Sequence, residues 1–586
     1  MNSENKTCQN CKTDFTIEPE DFQFYEKIKV PPPTWCPKCR AQRRMIWRNE
    51  RALYKRKSDL SGEEIVSQFP ASVPFPVYSV QEFFARGWET PSLDYDPEKS
   101  FLEQVHALRL KTPQCALLTD LQSEENGSLY QNSASRNKNC YLVSASGDNE
   151  DCMYANNLDY SQNAIDALWS RYVSYSYDCA GCLSSSNIFF STLCRNCEDG
   201  WFLYDCKNCS HCFGCVGLKN KSYCWMNEQL SKKEYEERFS VMLKELTPTR
   251  IEEYKDYLKS AKLKFPRKFS HSDAQSLATS TGDYLLDSHN VKQGFTIFYC
   301  ENSKYVMKLI HGKECYDVND WGDPAELCYE SITIGKGAYK VFFSNNCWPE
   351  CRELQYCDSC ANCQHCFGCV SLKDKKYCIL NKQYGEAEYH ALVSRIVEDM
   401  KQRGEYGEFF PPTHAPFAYN ETIAQEQFHL TETEAIAGGY RWSEPEERNY
   451  RVTLPAKDVP EHIMDVPDNI TKDILGCDHL GQCDDGCTSA FRVIPDELQF
   501  YKHFGIPIPR MCFNCRHAVR MRERNPWLLW HRACQCAGKA SQSGVYENMI
   551  VHQHGENACP VEFETTYAPE RPEIVYCEAC YNAEVA

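Results

Sequence analysis

Sliding residues 11–56 forward by 476 positions lays them on residues 487–532 without a gap, so any fold for this chain must place two closely similar modules near its ends. Cys11 meets Cys487, Phe15 meets Phe491 and Pro19 meets Pro495. Gln23-Phe24-Tyr25 falls on Gln499-Phe500-Tyr501, Pro31 and Pro33 on Pro507 and Pro509, and Cys36 and Cys39 on Cys512 and Cys515. The match continues through Arg40/Arg516, Arg44/Arg520, Arg48/Arg524, Asn49/Asn525, Leu53/Leu529 and Arg56/Arg532.

A second repeat occupies the middle, where a shift of 154 carries DCKNCSHCFGCVGLKNKSYCWMNEQ onto SCANCQHCFGCVSLKDKKYCILNKQ. Cys206, Cys209, Cys212, Cys215 and Cys224 thereby match Cys360, Cys363, Cys366, Cys369 and Cys378. Upstream of each copy, short elements such as NCYLVSA, DCMYANN, ECYDVND, LCYESIT and YKVFFSN recur loosely every 10–13 residues. Aromatic or Val-rich pieces separated by Asn, Gly and Asp are strand and turn chemistry, and such a period suits a narrow β-solenoid, with an antiparallel meander as its rival.

At 586 residues the chain exceeds what one core organises, and 42% hydrophobic with 13% aromatic residues argues against wholesale disorder. The expected fold is multidomain and mainly β with helical connectors, zinc-ribbon modules at both ends flanking a duplicated β-solenoid-like Cys/Tyr-rich centre. The expected division is 1–57, an N-terminal zinc ribbon with a basic helix; 58–114, a connector; 115–246, the first β-rich half; 247–281, a helical linker; 282–402, the second β-rich half; 403–475, an extended, Pro-interrupted connector; 476–532, the second ribbon; and 533–586, a C-terminal zinc-binding module.

The 37 Cys are an odd number, many in Cys-x-x-Cys pairs, and MNSENKTCQNCKTDF lacks the basic start and apolar run of a secretory signal. Metal binding in a cytoplasmic protein is therefore preferred over a disulfide framework. No apolar run approaches membrane-spanning length, so no membrane partner is expected.

Zinc takes four thiolate or imidazole ligands tetrahedrally, and a Cys-x-x-Cys turn offers two at once. Cys8, Cys11, Cys36 and Cys39 form such a set, with room for a small hairpin between the pairs. In the second module the expected ligands are Cys483, Cys487, Cys512 and Cys515, with Cys477 or His479 as substitutes. A third set is expected from Cys534, Cys536, Cys577 and Cys580, with His552, His554 and Cys559 nearby. About three zinc ions at the termini follow. For the central runs three readings compete: a stack of small buried thiols, a further zinc site, and an iron–sulfur cluster. The last is the weakest, because ferredoxin runs space their final Cys differently and follow it with Pro.

The net charge of −18 is uneven: residues 36–57 carry +8 and residues 507–532 carry +5, leaving −31 on the remainder. Arg40, Arg44 and Arg48, and their counterparts Arg516, Arg520 and Arg524, recur at helical spacing and could present guanidinium groups to RNA or a ribonucleoprotein. The competing reading is a solvated face, or pairing with the chain's own acidic body. Phosphate-cradling loops, His-Glu-x-x-His and nucleophile elbows are missing, so the reading leans against an enzyme.

The pattern CxxC…FxFYEKIKVPPPTWCPKCRAQRR…RNERALYKR, with FGCVxLKxKxYC…N and FETTYAPERPEIVYCEACYNAEV, resembles large multi-zinc-ribbon proteins of unassigned function from uncultivated small-genome (candidate phyla) bacteria. The resemblance runs along most of the chain. It implies zinc binding by Cys8, Cys11, Cys36, Cys39, Cys512 and Cys515 in a bacterial cytoplasm, and transfers no reaction. The wide Cys483–Cys487 spacing departs from the two-residue knuckle.

The leading expectation is a noncatalytic zinc protein that docks RNA or ribonucleoprotein through its Arg faces. The alternative is a structural or protein-interaction scaffold contacting another protein through the central repeats, and a thiol redox protein or enzyme ranks third.

Overall fold

In both central regions the backbone turns at nearly every third residue. The computed structural model describes residues 2–85, 87–444 and 451–585. Within it, Asp205, Asn208 and His211 take left-handed φ values of 50°, 52° and 50°, and the same spacing recurs through residues 133–226 and 284–380. Such a conformation costs an L-residue about 1 kcal/mol. Asn and Asp, which tolerate it best, occupy many corners, and their amides stack: Asn196 Nδ2 donates to Asn208 Oδ1 at 3.0 Å and Asn208 Nδ2 to Asn220 Oδ1 at 2.9 Å. Backbone bonds to the rungs above and below offset the remaining cost. Tyr141 N–H donates to Cys152 O and Tyr154 N–H to Tyr141 O, both at 3.0 Å.

Twelve residues complete one rung. Leu168 pairs in parallel with Asn156, and Ser186 with Glu198. The first ladder runs from Tyr130–Asn132 to Glu228–Gln229, nine strands in chain order. The second runs from Gly282–Leu286 to Lys382–Gln383. There the rung widens by one residue, as in Tyr316 against Tyr329 and Tyr339 against Arg352, before Arg352 against Gln364 restores twelve. A final antiparallel strand closes each ladder. These parallel registers exclude the antiparallel meander.

The residue after each corner points inward, which explains the spacing of the Cys runs. Cys179, Cys182, Ser185, Ile188, Ser191, Cys194 and Cys197 are all buried in this way, as are Cys206, Cys209, Cys212 and Cys215. Helices cover the ladder ends. Lys232–Lys244 begins at Ser231 with a capping box to Glu234 and buries Tyr235 and Met242; Glu386–Gln402, which starts at Gly385 without a side-chain cap, buries Tyr389, Ile396 and Met400 against the second ladder. Pro248–Lys262 follows, with Pro at its start where the missing N–H is harmless. In the 403–475 connector the stretch GYRWSEPEE runs into residues 445–450, which lie outside the described residues.

The end modules cross over. The helix Pro37–Met45 packs on Tyr316–Asn319 and Tyr329–Ile332 of the second ladder, and Phe513–Arg522 packs on Gln162–Ala180 of the first. Equivalent rings meet at both contacts: Tyr25 and Tyr329 at 5.4 Å, Tyr501 and Tyr177 at 5.4 Å. The chain is thus mixed and sheet-rich, with cysteine clusters near both termini. Among the described residues no helix is long and apolar enough to cross a membrane.

Candidate metal centres

Cys8 and Cys11 sit in the turn between antiparallel strands Glu4–Thr7 and Asp14–Ile17, while Cys36 caps the helix Pro37–Met45 and Cys39 lies in its first turn. All four sulfurs lie within 4.8 Å of one another. The hairpin therefore flanks the first pair; the segment between the pairs carries the helix Pro19–Ile28 instead of the expected small hairpin. Cys11 and Cys36 sulfurs are 3.7 Å apart, close to the edge of about 3.8 Å that four bonds of 2.3 Å to a tetrahedral zinc require. Cys36 N–H donates to Cys8 Sγ at 3.2 Å and Asn10 Nδ2 to Cys39 Sγ at 3.3 Å, contacts that favour thiolate. The hydrogen bond from Cys39 is the main cause holding the Cys36 thiol down to about 5. Helix N-termini add to that preference for negative charge.

In the second module Cys477, one of the two expected substitutes, stands in the four-sulfur group where Cys483 is the first expectation. Cys477, Cys487, Cys512 and Cys515 converge, and Cys483 joins His479, Asp485 and the same Cys515 in a neighbouring group. Cys477 takes the place that Cys8 holds at the other end: Cys512, capping Phe513–Arg522, donates its N–H to Cys477 Sγ at 3.2 Å. The knuckle here is opened by a loop between Cys477 and Cys487, so the nearest Cys in sequence, Cys483, falls inside the loop rather than at its base. Sulfur separations are 3.5 Å for Cys512–Cys515 and 3.9 Å for both Cys477–Cys515 and Cys487–Cys512.

The third module repeats the motif. Cys577 caps Glu578–Glu584 and donates its N–H to Cys534 Sγ at 3.2 Å. Its four-sulfur group is Cys534, Cys559, Cys577 and Cys580; Cys536 instead faces His552, His554 and Cys580. The expected quartet was Cys534, Cys536, Cys577 and Cys580, so Cys559 replaces Cys536. Cys536 Sγ is turned to His552 Nδ1 at 3.1 Å, while Cys559, whose N–H is bonded to Cys536 O at 2.9 Å, stands beside the four-sulfur group. The bond from Cys534 is the main cause holding Cys577 down to about 5.

None of the ladder cysteines enters these groups. Their thiols lie against carbonyls, as Cys206 Sγ does 3.6 Å from Tyr204 O and 3.5 Å from Cys215 O, and burial pushes Cys300 and Cys351 upward.

The basic helices do not present an open face. Arg40 and Arg44 are inserted among Asp317 and Glu330, with Arg40 Nη2 2.7 Å from Asp317 Oδ2 and Arg44 Nη1 3.2 Å from Glu330 Oε1. Arg516 Nε is 2.7 Å from Asp166 Oδ2, and Arg520 reaches Asp166 at 2.8 Å and Asp178 at 3.0 Å. Both helices end early: Arg48 and Arg524 lie beyond them. Arg48 bonds Glu50 at 2.8 Å, and Arg524 stacks 3.9 Å over the Trp169 ring. Five of these six arginines are buried. Their acidic partners, Asp166, Asp178, Asp317 and Glu330, stand at left-handed ladder corners, and the sequence reading did not single them out. Compared with protein-family models and with curated proteins, the chain matches none.

Proposed function

We propose that this chain is a noncatalytic zinc protein acting as a scaffold, in which zinc ribbons at the ends clamp a duplicated β-solenoid whose outer faces contact another protein. The observation that carries this reading is the burial of Arg40, Arg44, Arg516 and Arg520 in ion pairs with the ladders, which turns the basic elements inward and takes them away from phosphate. Donor chemistry supports zinc: sulfur-dominated groups with nearly tetrahedral separations, each receiving a backbone N–H, suit a borderline-soft ion. Surface rings at Tyr160, Tyr172 and Tyr175 offer the ladder an aromatic contact face.

The test uses the full chain. Elemental analysis finds zinc, chelation opens residues 1–57 and 476–586 to protease while the ladders resist, and labelled RNA is retained weakly throughout a salt series. Metal-free protein with ordered ends, or tight RNA retention that falls steeply with salt, overturns the proposal.

A further inference from the structure

We infer that Cys515 and Cys580 are bridging thiolates, so that the second and third modules each hold two zinc ions. This inference rests on the zinc reading above and extends it.

Cys515 belongs to two four-ligand groups at once. One is the ribbon quartet with Cys477, Cys487 and Cys512; the other joins it to His479, Cys483 and Asp485. Its buried sulfur lies 3.5 Å from Cys512 Sγ, 3.6 Å from Cys483 Sγ and 3.2 Å from His479 Nδ1, and His479 Nδ1 is also 3.1 Å from Cys483 Sγ. Seven donors, the shared sulfur included, are too many for a single tetrahedral ion and match two tetrahedra sharing a corner. Cys580 repeats the arrangement, sharing its sulfur between Cys534, Cys559 and Cys577 on one side and Cys536, His552 and His554 on the other. A doubly bound thiolate also spreads negative charge economically. The third module's cluster sets five thiolates against two dications and the second module's sets five thiolates and one carboxylate, where a lone four-cysteine site sets four against one.

The histidines of the third module are held as ligands are held. His552 Nδ1 faces Cys536 Sγ at 3.1 Å, and its Nε2–H donates to Glu584 Oε1 at 2.7 Å. Glu584 is buried and is steadied in turn by Tyr546 Oη and Met549 N–H, both at 2.8 Å. His554 directs Nε2 to Cys580 Sγ at 3.3 Å while its Nδ1–H donates to Asn557 O at 2.7 Å. An outer carboxylate or carbonyl that fixes the tautomer and aims the other nitrogen is the arrangement metal-binding histidines adopt. Asp485 is similarly anchored by Arg522 at 2.7 Å. The N-terminal ribbon has the short Cys8–Cys11 knuckle with no intervening loop, and among the described residues only one group forms there. The described residues then hold five zinc ions, all of them at the end modules.

Native mass spectrometry of the full chain, with elemental analysis, reads the count. Cadmium-113 substitution reads the bridge, since a shared sulfur transmits scalar coupling between two metals. The expected result is five ions and two coupled pairs of cadmium resonances. His552→Ala with His554→Ala lowers the count by one, as does His479→Ala with Cys483→Ala, each abolishing one coupled pair and leaving the other. One to four zinc ions in the unsubstituted protein, or five without coupling, overturns the bridges and leaves the zinc scaffold standing; no zinc at all overturns both.

Discussion

Arg516 Nε lies 2.7 Å from Asp166 Oδ2, joining the C-terminal ribbon to a corner of the first ladder with 350 residues of chain between them. Arg40 and Asp317 form the counterpart, also at 2.7 Å, between the N-terminal ribbon and the second ladder. Asp166 serves Arg520 as well, and Asp317 serves Arg44. Two duplicated modules and two duplicated ladders have thus been joined by the same kind of contact twice.

Asp166→Ala leaves two buried guanidinium groups without their shared acceptor. Breaking a buried pair from one side costs about 3–5 kcal/mol. Urea unfolding followed by tryptophan fluorescence should show a loss of that size, and Asp317→Ala a comparable one. A loss below about 1 kcal/mol, the scale of an exposed pair, would mean that these ribbons are not anchored here.

Acid should loosen the C-terminal contact through Asp178. Burial works against its charge, but Lys255 and Arg520 prevail and draw the carboxyl down to about 2. A carboxyl with a folded value below its unfolded one stabilises above the unfolded value, and the benefit disappears as pH falls through the folded value. The shift corresponds to roughly 2 kcal/mol. The difference in stability between the natural protein and Asp178→Asn is therefore constant above about pH 5 and shrinks between about pH 4 and pH 2. A difference that grows on acidification contradicts the assignment.

Ladder cysteines should tolerate Ser and resist larger side chains. Ser191 already fills an inward position, donating to Phe189 O at 2.8 Å and accepting from Leu203 N–H at 3.1 Å. Cys206→Ser can adopt the same bonds and is expected to cost less than about 1.5 kcal/mol, whereas Cys206→Leu overpacks the interior by about 1–3 kcal/mol. Thermal denaturation checks the order. In the native protein the same thiols, buried inside the ladders, should not react with iodoacetamide at neutral pH.

Removing the first sulfur of a ribbon should release its metal. Cys477→Ala deletes the acceptor of the Cys512 N–H and a ligand of the four-sulfur group, and is expected to lose at least one zinc by elemental analysis. Cys209→Ala, inside a ladder, should lose none.

The end-to-end repeat was readable because Cys, Pro and Arg at fixed spacing identify a module without any knowledge of its contacts. The ligand sets were less so. Aligning Cys487 with Cys11 made Cys483 the natural first ligand, and only the folded loop brings Cys477 to the position of Cys8. The ladders were half visible: the strand chemistry was evident, but a backbone turning at every third residue matches neither the period of a strand nor that of a helix. The inward triplet, Cys206, Cys209, Cys212 and Cys215 with Asp205 and Asn208 at corners, was the available signal. That the arginines could pair with the chain's own acidic body was legible from the charge distribution, but which acids would do so was not, because Asp317 and Asp166 are hundreds of residues from the guanidinium groups they neutralise.

The crossover has a consequence for synthesis. A chain emerging amino end first completes its first ribbon long before Asp317 and Glu330 exist, so Arg40 and Arg44 wait on the ribosome as bare cations, and the first ladder waits longer still for residues 495–522. A stop between the first ladder and Lys255 leaves both Asp166 and Asp178 without their basic partners, and one between Lys255 and Arg516 still leaves Asp166 uncovered.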